Sequence, residues 1–122
     1  MKKILIFGGS GFLGRHLIKL LKKNHIYTPS SSEINLLHPE DFKLLDNKNF
    51  DEIFYLAAWT QAGDFCLQNK AYQWIINQRM NTNLVTWWQE KQSNAKLIFI
   101  GSSCCYSENS NLKEDKFLYD IP

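Results

Sequence analysis

Apolar positions in this chain follow two rhythms: short unbroken runs, and longer stretches that repeat about every 3.6 residues. Lys3 to Phe7 is a short apolar run that ends at once in Gly8 and Gly9, which predicts a strand buried on both faces. The rhythm then changes. From Phe12 to Lys23, Leu13, Leu17, Leu20 and Leu21 return at helical spacing, and Asn24 supplies a stop. His25 to Thr28 predicts a second strand, closed by Pro29 and the serines Ser30, Ser31 and Ser32. Pro39 with Asp41, Phe42, Leu44 and Leu45 predicts a short helix, because proline suits a first helical turn. Glu52 to Ala58 predicts a third strand. Cys66 to Lys91 contains neither proline nor glycine and predicts one long helix, and Leu97 to Ile100 predicts a further strand broken at Gly101-Ser102-Ser103. From Cys104 to Pro122 the chain is polar and loop-like.

Strands that alternate with helices argue for a parallel sheet covered on both faces. Right-handed crossovers leave few topologies, and the doubly wound, Rossmann-like order is the one expected, as a single α/β domain over residues 1–122. The long helix adds a hint. Tyr72, Ile76, Met80, Leu84 and Trp87 form one stripe, and Trp74, Val85 and Trp88 widen it to an arc of roughly 220°, more than one sheet contact needs. A partner subunit or a further part of the domain is expected to cover the second face.

Composition narrows the function classes. A chain of 122 residues with 44% hydrophobic residues can bury one core. A net charge of +2 gives no reason to expect a nucleic-acid partner, and Lys19, Lys22 and Lys23 read as a solvated helix face. The early apolar run, Ile4 to Phe7, is too short for a signal peptide or a membrane span. The cysteines are Cys66, Cys104 and Cys105; an odd count with no C-x-x-C pair indicates neither a disulfide framework nor a zinc site. No metal and no membrane partner is expected, and the location expected is cytoplasmic.

Candidate chemistry begins at Gly8, Gly11 and Gly14, spaced G-x-x-G-x-x-G between a strand and an amphipathic helix. Small residues let the chain turn tightly, let backbone approach a pyrophosphate and let the helix seat close to the strand. The first-turn N–H groups and the helix dipole then face the anion. A structural glycine turn with no ligand is the other reading. The spacing differs from the G-x-G-x-x-G of ordinary Rossmann dehydrogenases and resembles short-chain dehydrogenases/reductases.

Three more segments are similar to the extended branch of that family, the NAD-dependent epimerases/dehydratases. Leu56-Ala57-Ala58 resembles its L-A-A motif, and Asn77 and Asn83 resemble its N-x-x-x-x-x-N pair, structural in the family. Gly101-Ser102-Ser103-Cys104-Cys105-Tyr106 resembles the strand end that carries its catalytic serine. Within the branch, Ser102-Ser103-Cys104-Cys105-Tyr106 and Glu33-Ile34-Asn35-Leu36-Leu37 are most similar to the GDP-L-fucose synthases. The resemblance implies an NAD(P)-dependent epimerase/reductase of nucleotide-linked sugars, a homodimer when full length. It implies a cofactor site at Gly8, Ser10, Gly11, Phe12, Leu13, Gly14, Arg15, Ser30, Asn35, Leu36, Leu56, Ala57 and Ala58. It further implies that Ser102 polarises the reacting sugar oxygen and that Cys104 moves a proton beside the 4-keto group. A thiol suits that task, because its ordinary pKa near 8.5 can be tuned toward neutrality. The plain alternatives are a strand-end serine and a buried small hydrophobe.

Two departures qualify this. No tyrosine here has lysine four residues later: Tyr106 is followed at that spacing by Ser110. The family's Y-x-x-x-K pair, its proton donor and ribose holder, is therefore absent, so the chain is expected to be an N-terminal part, incomplete as a domain and inactive alone. After the second strand stand Thr28-Pro29-Ser30-Ser31-Ser32, with neither the acid of NAD-preferring members nor the arginines of NADP-using ones. Arg15 and the serines give NADP a slight edge over NAD. Another nucleotide-sugar epimerase or dehydratase, or a non-catalytic NAD(P)-binding module, are the alternative functions.

Overall fold

A computed structural model of the chain describes residues 1–61 and 63–102. Its elements are β1 (Lys3–Phe7), α1 (Phe12–Leu20), β2 (His25–Tyr27), a 3-10 helix (Pro39–Leu45), β3 (Glu52–Tyr55), α2 (Phe65–Gln68), α3 (Tyr72–Lys91) and β4 (Lys96–Phe99). The strands make a sheet in the order β2-β1-β3-β4, with every neighbouring pair parallel. This is the doubly wound arrangement that the alternation predicts. The chain moves from β1 to β2 in one direction and from β3 to β4 in the other, so right-handed crossovers put α1 and α3 on opposite faces. The order reverses at β1, which opens a crevice beyond the carboxyl ends of β1 and β3.

The core lies mainly on the α3 side. Leu5 and Phe7 of β1 and Ile53 and Tyr55 of β3 meet Phe42 and Leu45 of the 3-10 helix and Met80, Leu84 and Trp87 of α3. Phe7, the last residue before the glycines, contacts the rings of Phe42, Tyr55 and Trp87 with centroids 6.0, 6.5 and 6.4 Å away. The mouth of the crevice therefore sits on a fixed aromatic base. Ile4 and Ile6 alternate to the other face and are also fully buried. At the opposite end of the sheet, Lys2 Nζ bonds Glu52, and the Asp51 carboxylate accepts the Lys3 N–H at 2.7 Å. Both contacts fix the β1–β3 register from its start.

Several expectations need correction. The predicted helix from Cys66 to Lys91 is two helices. Asn69 ends the first: its side-chain amide donates to the Phe65 carbonyl at 3.2 Å, alongside its own backbone N–H at 2.8 Å. Local bonding of this kind competes with helix propagation, so asparagine can stop a helix without proline or glycine. The Pro39 segment is the short helix expected, of the 3-10 type. α1 ends at Leu20 rather than Lys23, and β2 ends at Tyr27. β3 ends at Tyr55, short of Ala58, with one added bond from the Leu56 N–H to the Phe7 carbonyl at 2.9 Å. β4 runs Lys96–Phe99 rather than Leu97 to Ile100.

The apolar faces also shift. α1 buries Gly14 and half-buries Leu17 and Ile18, with Leu21 just beyond it also half-buried, while Leu13 and Leu20 stay exposed. The glycine side can approach the sheet most closely, and it therefore wins over the leucine side. On α3, Trp87 is buried and Trp88 is half-buried with its indole N–H on the Ala95 carbonyl at 2.9 Å. Tyr72, Trp74 and Val85 are exposed. The uncovered part of the arc is thus real but holds fewer rings than the sequence implies. Among the described residues no helix is long and apolar enough to cross a membrane.

Burial pushes the Tyr55 phenol up to about 12, and its hydroxyl has no hydrogen-bond partner among the described residues. The unfolded chain releases this proton near pH 10, its ordinary value, while the folded chain keeps it. The unfolded state then binds fewer protons, so stability is full below pH 10 and falls as pH rises toward about 12. Tyr55→Phe removes an unpaired buried hydroxyl. The expected result is equal or higher stability at pH 7 and a flatter loss between pH 10 and 11, read by urea unfolding across that range. Clear destabilisation at pH 7 would show that the hydroxyl has a partner.

Candidate functional site

Beyond the carboxyl ends of β1, β2 and β3 lies a cleft of about 670 Å³. That is within the roughly 300–1,000 Å³ typical of small-molecule sites. Its floor is Phe7, Gly8, Gly9 and Ser10. One wall is the segment after β2, Thr28 to Ser31 and Ile34 to Leu37. The other is Ala57, Ala58 and Trp59, after β3, and Ile18 of α1 and Met80 of α3 complete the lining.

The floor depends on two glycines. Gly8 has φ +86°, and a Cβ there would stand 2.8 Å from the Ala57 nitrogen and 2.9 Å from the Leu56 carbonyl carbon. Only glycine adopts that turn so close to the neighbouring strand end. A Cβ at Gly14 would stand 2.2 Å from the Gly8 oxygen and 2.6 Å from Gly9 Cα, so the first turn of α1 rests directly on the loop. Gly11 is the N-cap, held by its N–H to the Gly8 carbonyl at 3.2 Å. It offers no side chain to cap the helix, and the first turn carries no acidic residue. The first N–H groups are left for an anion, with the positive end of the dipole behind them.

On the β2 side, Ser30 to Glu33 folds into a turn. The Glu33 carboxylate accepts the Ser30 N–H at 3.2 Å, the Ser30 hydroxyl oxygen accepts the Glu33 N–H at 3.3 Å, and the Ser30 and Ser32 hydroxyls are 2.9 Å apart. The turn thus returns the Glu33 carboxylate to the Ser30 backbone, although Glu33 itself does not line the cleft. Asn35 is fixed by its backbone N–H to Asp41 at 2.9 Å, and its side-chain oxygen accepts the Leu37 N–H at 3.0 Å. The Leu36 carbonyl accepts the Asn83 side-chain amide at 2.8 Å.

On the β3 side, Trp59 is bound at both backbone groups by Asn77. The Asn77 oxygen accepts the Trp59 N–H, and the Asn77 amide donates to the Trp59 carbonyl, each at 2.8 Å. The Trp59 ring meets Phe65 of α2 edge-on, with centroids 5.4 Å apart.

Of the residues expected at the site, Gly8, Ser10, Ser30, Asn35, Leu36, Ala57 and Ala58 meet in this cleft. Gly11, Phe12, Leu13, Gly14, Arg15 and Leu56 lie outside its lining; Phe12, Leu13 and Arg15 are exposed on the first turn of α1. Ser102 is exposed beyond the end of β4 and does not line the cleft. Cys104 lies outside the described residues. Thr28, Pro29, Trp59 and Met80 were not expected. Thr28 ends a predicted strand and Pro29 and Trp59 follow predicted strands directly, and the rule that ligands gather at the carboxyl ends of parallel strands points to all three. Met80 carries no such signal, since it reaches the cleft only through helix packing.

Comparison with known proteins bears on the family and the fold. The profile of the NAD dependent epimerase/dehydratase family matches residues 4–120. No curated protein matches by sequence. Among solved structures, the chain is similar to a GDP-mannoheptose C4 reductase from Campylobacter jejuni with NADP bound (24% identity, TM-score 0.77), covering 95% of this chain and 38% of that one. It is similar to a GDP-L-fucose synthetase from Naegleria fowleri (21%, 0.77), covering 99% and 37%. It is also similar to a dTDP-4-dehydrorhamnose reductase from Yersinia enterocolitica (28%, 0.71), covering 87% and 37%. The chain thus spans less than two-fifths of the length of each.

Proposed function

Because this chain belongs to the NAD dependent epimerase/dehydratase family, we propose that its cleft holds the adenosine and pyrophosphate portion of NAD(P) for a reductase or epimerase of nucleotide-linked sugars. One observation carries the reading: an uncapped helix N-terminus, seated on a loop with no room for a side chain at Gly8 or Gly14, opens onto a cleft at the switch point of the sheet. In it, the pyrophosphate lies over Gly8 to Gly14, and the adenosine lies along Ser30, Asn35 and Leu36. The L-A-A segment supplies backbone on the far side. The nicotinamide, when bound, supplies hydride chemistry. In the same proposal Ser102 polarises the reacting oxygen and Cys104 moves a proton at the neighbouring carbon. These 122 residues alone are proposed to bind without turnover, since no tyrosine among them is followed by lysine four residues on. A second copy is the proposed cover for Trp74 and Val85 in the full-length protein, and three cysteines with no C-x-x-C pair suit a cytoplasmic setting.

Calorimetric titration with NADP and NAD tests the cofactor reading. One saturable site is expected, and Gly11→Leu should abolish it without unfolding the chain, because the added side chain lies where the pyrophosphate approaches. Unchanged binding by that variant would overturn the assignment. We propose that NADP is preferred only by a few-fold, since Glu33 offsets what Arg15 and the serines offer a 2′-phosphate. Glu33→Gln should then raise the NADP-to-NAD preference several-fold by removing a like charge. An equal change for both dinucleotides would place Glu33 away from the 2′ position.

A further inference from the structure

The two walls of the cleft come from segments far apart in sequence, yet both are bonded to one helix. α3 presents Asn77 to the Trp59 backbone, Met80 to the cleft lining, and Asn83 to the Leu36 carbonyl. The three residues follow at intervals of three along the helix. At 1.5 Å rise per residue, the two asparagines are offset by about 9 Å along the axis. Asn77 is held firmly, since its amide also donates to the Gln73 carbonyl one turn back at 2.7 Å. Neither asparagine lines the cleft.

We infer that Asn77 and Asn83 are positioning residues that set the spacing of the cleft walls, each governing a different part of the dinucleotide. The inference rests on the reading of the cleft as a dinucleotide site. Asn83 positions the adenosine wall through Leu36, whose loop has a second anchor where the Asn35 N–H meets Asp41. Asn77 positions the opposite wall through both backbone groups of Trp59, and among the described residues no other hydrogen bond holds that segment beyond Leu56. Removing Asn77 should therefore free its wall more completely than removing Asn83 frees its own. A helix that only stabilised the domain would show no such division of labour.

Fragment-resolved binding provides the test. NADP and adenosine 2′,5′-bisphosphate, which carries only the adenosine side, are titrated against the wild-type chain, Asn77→Ala and Asn83→Ala. Asn77→Ala should weaken NADP about tenfold or more while leaving the fragment within about twofold. Asn83→Ala should weaken both ligands by a similar factor. Parallel losses of both ligands in both variants, tracking their loss of Tm, would overturn the proposal. Hydrogen exchange gives a readout that needs no ligand: the Trp59 amide should be protected in the wild type and exchange at least tenfold faster in Asn77→Ala, with the Ile53 amide unchanged. Rapid exchange of Trp59 in the wild type would overturn the clamp even if both ligands bind. Failure of the wild type to bind either ligand would instead sink the dinucleotide reading, leaving the exchange result to judge the clamp.

Discussion

Gly14→Ala should cost the chain a large share of its folding stability, while Gly11→Ala should fold almost as well as the wild type. The two positions look equivalent in the G-x-x-G-x-x-G pattern, but their surroundings differ. A methyl group at Gly14 meets the Gly8 oxygen at 2.2 Å and Gly9 Cα at 2.6 Å, both backbone atoms that cannot rotate away. Relief requires α1 to lift from the loop, and that would uncover the buried Ile4 and Ile6 face. Overpacking a core usually costs about 1–3 kcal/mol when side chains can adjust. A clash with backbone should exceed about 3 kcal/mol, a large share of the roughly 5–15 kcal/mol that holds a typical domain. At Gly11 the same methyl group meets only the Gly8 oxygen, at an ordinary 3.4 Å. Alanine caps a helix less well than glycine, so a loss of about 1 kcal/mol or less is expected there. Urea unfolding followed by far-UV circular dichroism separates the two. Similar midpoints for both variants would show that α1 does not rest on the loop as described.

That contrast shows which parts of the structure the sequence encodes openly. The run Lys3 to Phe7 and the glycines after it could be read directly, because a buried parallel strand and a phosphate-type turn impose local rules on residue type. The same holds for the alternation that gives the parallel sheet. Features set by tertiary contact were not legible. Leu13 and Leu20 keep helical spacing yet stay exposed, since Gly14 decides which side of α1 nears the sheet. Asn69 breaks a helix that no proline or glycine marks. Glu33 lies outside the second strand in sequence, yet a four-residue turn returns its carboxylate to Ser30. For the site, the floor and both walls were partly anticipated. Asn77 and Asn83 stood out in the sequence only as a structural pair; that they bond the two walls, and that Met80 reaches the cleft, becomes visible only once α3 is laid across the sheet.

Trp87 carries the second large effect, and here the expected cost depends on which part of the side chain is removed. Its ring lies 5.3 Å from Phe42 and 6.4 Å from Phe7, edge-on to the latter at 88°. Only 6% of the residue is exposed. Trp87→Ala would empty the space beneath Phe7, with an expected loss of about 3–5 kcal/mol as for other buried aromatic truncations. The indole N–H, by contrast, has no hydrogen-bond partner among the described residues. Trp87→Phe therefore forfeits volume but no hydrogen bond, and relieves an unpaired donor that costs about 1–3 kcal/mol to bury. Its net loss should be less than half that of the alanine variant. Because Phe7 is both the neighbour of Trp87 and part of the cleft floor, the alanine variant should also weaken dinucleotide binding at temperatures where it remains folded. The phenylalanine variant should bind like the wild type. Chemical denaturation of both variants, with binding measured well below each midpoint, decides the matter. If Trp87→Phe were as costly as Trp87→Ala, the indole N–H would have to be making a bond after all, and the floor of the cleft would owe its rigidity to that bond rather than to aromatic packing.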